Sequence, residues 1–485
     1  MGRHAHRALV GGMAAAVAVA VIGFAGLTGA AARSLRSRCP WMRSSRPVAA
    51  RVGEVMARMN TRQKLDLVHG TLTGLLTVTG PVYAGDTTAI PSLCLPALHL
   101  QDGPAGVGDG FTGVTQLPAP VALAATWDPR LAYRYGEVVG SEQRGKGANV
   151  DLGPTVNIVR DPRWGRAFEA YGEDPYLTSS VAVPYIRGVQ AQGVMAQVKH
   201  LAAYAEETGR DGPTSDAIVS TRALEEIYLP PFQAAVQRAH VASVMCAYNQ
   251  VNHQPACQNG FLLRQVLEGQ FGFRGFVTSD WFATQSVAPS ADAGLDMQMP
   301  DGCFFSKGLS QAMAQGAVPR RTLDAMVKRI LTEMFRFHLV GARRPGRPSD
   351  AVSTPAHATV ALRVAQDSPV LLRNARGILP LRIRSLRSIA VIGADAGSGA
   401  YTAGGGSASV VAGHVVTPYQ GIRDRAGRRL KVTYNDGSNP SSAATAARSA
   451  SVAIVFADLP EAESQDLPDI DLPPADNALI SAVAA

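Results

Sequence analysis

A carboxylate delivered at the end of an apolar strand is the pattern in this chain best suited to do chemistry. In GFVTSDW, residues 275–281, Phe276 and Val277 read as strand and Asp280 follows at once beside Trp281. In a (β/α) barrel that position presents a side chain to substrate, where a carboxylate can act as nucleophile, acid or base. Taken alone, Ser279-Asp280 would serve as well as a helix cap or a turn. Repetition is what argues for a site. Residues 98–100 run into Gln101, Asp102 and the turn Gly103-Pro104, residues 194–198 deliver Lys199 and His200, and residues 241–247 deliver Tyr248 and Asn249.

The elements that must position these groups are helices between short strands. Asp128-Pro129 reads as a helix start, a capping acid before proline at the first helical position, with apolar residues recurring to Val139. Residues 221–239 and 261–267 are predicted helices, and Asn60 with Gln63 has capping-box spacing. Strand, polar end and helix repeat over about 250 residues, which predicts an α/β fold, a (β/α)8-type TIM barrel with polar groups at one mouth.

The 485 residues are ample for two cores, and 46% hydrophobic with 17% charged residues is a globular balance. Residues 33–340 are assigned to the barrel, 341–365 to a linker that opens rich in Pro, Arg and Ser, and 366–485 to a second domain. In that domain the strand 389–392 is followed by Gly393, but the spacing is wrong for a dinucleotide loop. Gly404-Gly405-Gly406-Ser407 lacks the lysine of a phosphate loop. Residues 477–485 read as the first turns of a helix with no closing strand after them, so the second domain is expected to be incomplete, a truncated chain.

Residues 1–32 form a targeting segment, with basic Arg3 and Arg7, a long apolar run and the small residues Ala30-Ala31-Ala32. It reads as a signal peptide or an N-terminal membrane anchor. The remainder is expected to be secreted or extracytoplasmic, touching membrane only if the leader is uncleaved. Export allows Cys246 and Cys257, close in sequence, to bridge, whereas the pairing of Cys39, Cys94 and Cys303 stays open. The cysteines and histidines lack ligand spacing, so no metal and no cofactor is expected. The net charge of +8 comes from scattered arginines, which argues against a nucleic-acid partner.

Longer motifs carry a family resemblance. QDGPAGV around Asp102, NIVRDPRWGRAFEAYGEDPYL at 157–177, KHLAAYAEETGR from Lys199, SVMCAYNQVN, GFVTSDW and GLDMQMP follow in order, with SPVLLRNARGILPL, GGGSAS and VVTPYQGI beyond residue 366. Together they resemble glycoside hydrolase family 3, the β-glucosidase family. The resemblance implies a (β/α)8-type barrel followed by a six-stranded α/β sandwich, with the active site between them. It implies an exo-acting retaining hydrolase that removes terminal β-D-glucosyl residues from a β-glucoside oligosaccharide or glycosylated small molecule. Asp280 matches the family nucleophile. Asp102, Arg166, Lys199, His200 and Tyr248 match positions that hold the sugar, and Met245 and Trp281 match pocket walls.

The retaining mechanism needs an ionised nucleophile and a protonated partner, and Lys199 and Arg166 are expected to keep Asp280 charged. The partner falls in EAESQDLPDIDLPPADNALI, residues 461–480, which is similar to a family EGxDR segment. Counting back from Asp466 and Leu472-Pro473 puts Glu463 on the acid/base position, with Glu461 as a rival. Ser464, Leu467 and Asp476 depart from the family's glycine, arginine and glutamine, and Gly108 stands where the family often has arginine. Arg166 could instead pair with Glu169 or Glu173. A β-xylosidase or α-L-arabinofuranosidase, or a catalytically impaired sugar-binding fragment, is the alternative function.

Overall fold

The computed structural model describes residues 39–42, 45–72, 82–212, 214–341, 346–400 and 404–485. The expected leader, 1–32, lies outside them. Among the described residues no helix is long and apolar enough to cross a membrane.

Six strands form the main sheet in chain order: β1 (Gly85–Asp86), β2 (His99–Asp102), β3 (Val150–Leu152), β4 (Met195–Leu201), β5 (Ser243–Cys246) and β6 (Phe276–Ser279). From β2 to β6 every pairing is parallel, and β4 to β6 are buried along their whole length, as helices on a sheet's face require. Two short segments close the ring. Met297 bridges Thr278 of β6, and Gln298 bridges His69, both in parallel. The amide of Thr71 then donates to Asp86 O of β1 at 2.9 Å. The barrel is therefore not uniformly parallel, because β1 runs antiparallel to β2.

Local sequence chemistry builds the outer helices. Asp128 accepts hydrogen bonds from the amides of Arg130 and Leu131 and starts helix α1 (Pro129–Lys146), and Asp174 does the same for α2 (Pro175–Ala191). The two lie so close that a Cβ on Gly136 would sit 2.2 Å from Tyr185 O. The single helix expected at 221–239 is broken. Pro230-Pro231 removes two amide donors, so a wide turn over Leu224–Tyr228 separates Thr221–Ala223 from Pro230–Gln237.

The second unit is a parallel sheet in which β7 (Ser388–Ile392) lies between β8 (Lys431–Asn435) and β9 (Val452–Val455). Helix Pro418–Ala426 buries Ala426 with Ile389 and Val391, while Pro440–Arg448 and Pro474–Ala484 bury Ala443 and Leu479 with Ala390 and Ile392. Both faces are thus covered, a sandwich of helices on a sheet. The connecting segment is fastened to the barrel. The ammonium of Lys146 donates to Pro348 O (2.9 Å) and Thr112 O (2.6 Å), and helix Pro355–Asp367 inserts Val364 into the barrel core. Cys246 is bonded to Cys257, and Cys39 to Cys94, leaving Cys303 free and exposed.

Candidate active site

Strand order brings the polar ends to one mouth. Asp102 ends β2, Lys199 and His200 lie where the β4–β5 register shifts, Tyr248 follows β5, and Asp280 follows β6 with its amide donating to Cys246 O at 3.1 Å. Arg166 arrives from the segment between β3 and α2. Its guanidinium donates to both oxygens of Glu169, at 2.7 and 2.8 Å, with both side chains out of water. The local pairing foreseen for Arg166 therefore exists, and it leaves Nη1 aimed at Glu463 Oε1, 3.4 Å away. Lys199 Nζ lies 3.4 Å from Asp102 Oδ1 and 3.7 Å from Glu169 Oε1.

His200 is fixed by Asn157. Asn157 Nδ2 donates to His200 O (2.8 Å), which leaves Oδ1 to accept from the His200 amide and from Nδ1, each at 2.9 Å. The ring hydrogen therefore sits on Nδ1, and Nε2 turns a lone pair toward Asp280 Oδ2 at 3.6 Å. Asp280 Oδ1 accepts from the Trp281 amide at 2.8 Å, but among the described residues Oδ2 accepts nothing, although the carboxylate is buried. A carboxylate oxygen left unpaired in a buried pocket is a group kept for something outside the fold. Trp281 is held over this end by its indole N–H, which donates to Ala84 O (2.9 Å), and Met245 is buried in β5 opposite Thr278.

The second unit supplies the other carboxylate. Gly405 bridges Ala462, so the glycine loop and residues 461–463 run side by side. The Ser407 amide donates to Glu463 Oε2 (2.7 Å), and Arg210 Nη1 donates to Glu463 Oε1 (2.8 Å). A Cβ on Gly406 would fall 2.3 Å from Glu463 Cβ, so the glycines serve close approach to this acid. Glu461 is turned elsewhere and accepts from the Phe168 amide at 2.7 Å. Gly108 packs beneath the same loop, where a Cβ would lie 3.0 Å from Ser407 O, so a larger residue there would press on the loop that carries Ser407.

The protonation tendencies run opposite to the expectation. Burial pushes Asp280 up to about 7, against the pull of Arg166 and Lys199. Burial also raises Glu463, but Arg166, Arg210 and Ser407 outweigh it and hold this carboxyl well below the usual range. The cations are engaged elsewhere: Arg166 with Glu169 and Glu463, Lys199 with Asp102 and Glu169. Burial lowers His200 far below its ordinary value, aided by Arg166 and Lys199, so the ring is neutral. Asp102 rises to about 6, again chiefly by burial.

The structure thus gathers Asp102, Arg166, Lys199, His200, Tyr248, Asp280, Trp281 and Glu463 at one mouth. It adds Arg210, whose guanidinium lies 4.2 Å from the Tyr248 ring centre, along with Glu169, Asn157 and Ser407. Arg210 ends the KHLAAYAEETGR motif, Asn157 opens NIVRDPRWGRAFEAYGEDPYL and Glu169 stands three residues after Arg166, so each had a local signal.

A barrel mouth completed by an acid from a following α/β unit defines a class of two-domain proteins whose site is shared across the boundary. The chain belongs to glycosyl hydrolase family 3: the model of its N-terminal domain matches residues 77–333 and that of its C-terminal domain residues 369–485. A β-glucosidase of Rhizobium radiobacter is 43% identical over 70% of this chain and 41% of its own length. A probable β-glucosidase L of Aspergillus terreus is 36% identical over 83% of this chain and 57% of its own. The crystal structure of DesR, a β-glucosidase from Streptomyces venezuelae in complex with D-glucose, superimposes with a TM-score of 0.83 at 29% identity, covering 90% of this chain and 70% of that one. The β-D-glucoside glucohydrolase of Trichoderma reesei gives 0.83 at 34%, covering 91% and 66%. The chain spans about two fifths of the length of the first curated relatives it matches.

Proposed function

We propose that the chain carries an exo-acting, retaining β-glucosidase site, with Asp280 as nucleophile and Glu463 as acid/base. The observation that carries this reading is Glu463 itself, brought from the second unit to Arg166 and Arg210 above the mouth that holds the unpaired Asp280 Oδ2. In the first step a carboxylate oxygen of Asp280 bonds to the anomeric carbon as the glycosidic C–O bond breaks, and Glu463 gives its proton to the departing oxygen. In the second, Glu463 takes a proton from water, whose oxygen bonds to the anomeric carbon and releases Asp280. Asp102 and Lys199, paired at the mouth, suit adjacent sugar hydroxyls, and an unpaired hydroxyl in so buried a pocket is costly enough to select among sugars.

The substrates on this reading are β-glucoside oligosaccharides or glycosylated small molecules. The two disulfides support work in an oxidising, extracytoplasmic compartment. The test is leaving-group dependence in the full chain. Glu463→Ala should slow hydrolysis of alkyl glucosides by about 10²–10⁴-fold, with azide restoring turnover of activated aryl glucosides as glucosyl azide. The same behaviour in Glu461→Ala instead would move the acid/base by two residues.

A further inference from the structure

Residues 457–473 lie in no helix or strand, yet they carry Glu463. Beside their pairing with Gly405, what ties them to the barrel is a pair of carboxylates, each accepting from backbone amides of the other's segment across the boundary between the two units. Asp466 of the second unit accepts from three barrel amides: Gly165 (3.1 Å), Glu207 (3.0 and 2.9 Å) and Thr208 (2.8 Å). Glu207 of the barrel answers by accepting from the Ser464 amide at 3.0 Å, while its other oxygen accepts from the Trp164 indole at 2.8 Å. The Leu467 amide adds a bond to Arg163 O at 2.8 Å, and a Cβ on Gly165 would sit 1.9 Å from Gln465 O. Hydrogen bonds to ionised carboxylates are short and strong, and Glu207 is shielded from water.

We infer that Asp466 is a positioning residue that sets the reach of Glu463 by clasping the barrel amides of Gly165, Glu207 and Thr208. Two residues separate the acids, and Ser464 between them takes a left-handed turn (φ 72°), so the clasp leaves the Glu463 side chain one direction, toward Arg210 and the Ser407 amide. Glu207 couples to the same point, since Arg210 Nη1 bonds both Glu207 Oε2 and Glu463 Oε1 at 2.8 Å. The inference rests on Glu463 as acid/base only for its catalytic consequence, and its geometric content can be tested separately.

The experiment is residue-resolved hydrogen exchange and steady-state kinetics on the full chain, unsubstituted and as Asp466→Asn. The variant keeps the shape of the side chain but turns an amide donor toward amide donors. Expected is exchange faster by about tenfold or more at Gly165, Glu207, Thr208 and, decisively, Ser407, with β6 unchanged. Also expected is a kcat for alkyl glucosides lower by roughly 10–100-fold, a KM within about twofold, and a much smaller loss for activated aryl glucosides. Asp466→Glu should recover part of both effects. Unchanged exchange at Ser407 would overturn the inference, whether or not the barrel amides open. Faster exchange at Ser407 with unaltered leaving-group dependence would leave the clasp in place and overturn Glu463 as the acid/base.

Discussion

Arg210 Nη1 lies 2.8 Å from Glu463 Oε1, joining a barrel loop to the acid that the second unit contributes. With Arg166, this contact keeps the Glu463 carboxyl well below its usual range although burial works the other way, while burial raises Asp280 to about 7. The productive form needs Asp280 ionised and Glu463 protonated, so it is a minor form of the free protein. The pH profile of kcat/KM should then break on the acid side at Glu463 and on the basic side at Asp280, near 7. Arg210→Gln raises the Glu463 pKa. It should move the acid-side break to higher pH and leave the basic-side break in place. An acid-side break that does not move would show that Arg210 does not govern this carboxyl.

Asp280 should also be costly to the fold. Its pKa is raised from 3.8 to about 7 in the folded chain, chiefly by burial. Well below pH ~4 it is protonated folded or unfolded and costs nothing. As pH rises toward 7 the unfolded chain ionises first, so stability falls across that window and levels off above it. Asp280→Asn removes this cost. It should be more stable than the parent by roughly 2–4 kcal/mol at pH 8 and by close to nothing at pH 4. Denaturant titrations at the two pH values read the difference, and an equal gain at both would point to packing instead.

Ser464 stands where the family resemblance leads one to glycine, and its φ of 72° is why glycine suits the position. A residue with a Cβ in the left-handed region costs about 1–2 kcal/mol, partly offset by glycine's greater freedom in the unfolded chain. Ser464→Gly should raise stability by about 0.5–1 kcal/mol with kcat unchanged or higher. A lower melting temperature in calorimetry would contradict this account of the turn.

What could be read from sequence was local. Asp128 before Pro129 does cap its helix, and Asn60 and Gln63 do exchange side-chain and backbone bonds in a capping box. The strand ends at Asp102, Lys199-His200 and Asp280 were legible because a strand followed by a polar residue fits in a few positions. The antiparallel β1 is two residues long, too short for any periodicity to show. The barrel partners of Glu463 and Asp466 lie about 250–300 residues earlier, a separation that no local pattern encodes. The expectation that Lys199 and Arg166 would keep Asp280 ionised misjudged magnitudes. Both cations are shared with Glu169, and desolvation of a buried carboxylate outweighs what remains of their field.

The most direct measurement is covalent trapping. The full chain incubated with 2,4-dinitrophenyl 2-deoxy-2-fluoro-β-D-glucoside should lose activity as one equivalent of dinitrophenol is released, because the fluorine slows both steps while the good leaving group restores only the formation of the glycosyl-enzyme, not its breakdown. Peptide mass spectrometry should then find the fluoroglucosyl group on Asp280, and Asp280→Asn should take no label. Inactivation with the label on another carboxylate, or a chain that binds the reagent without forming any ester, would contradict Asp280 as the nucleophile.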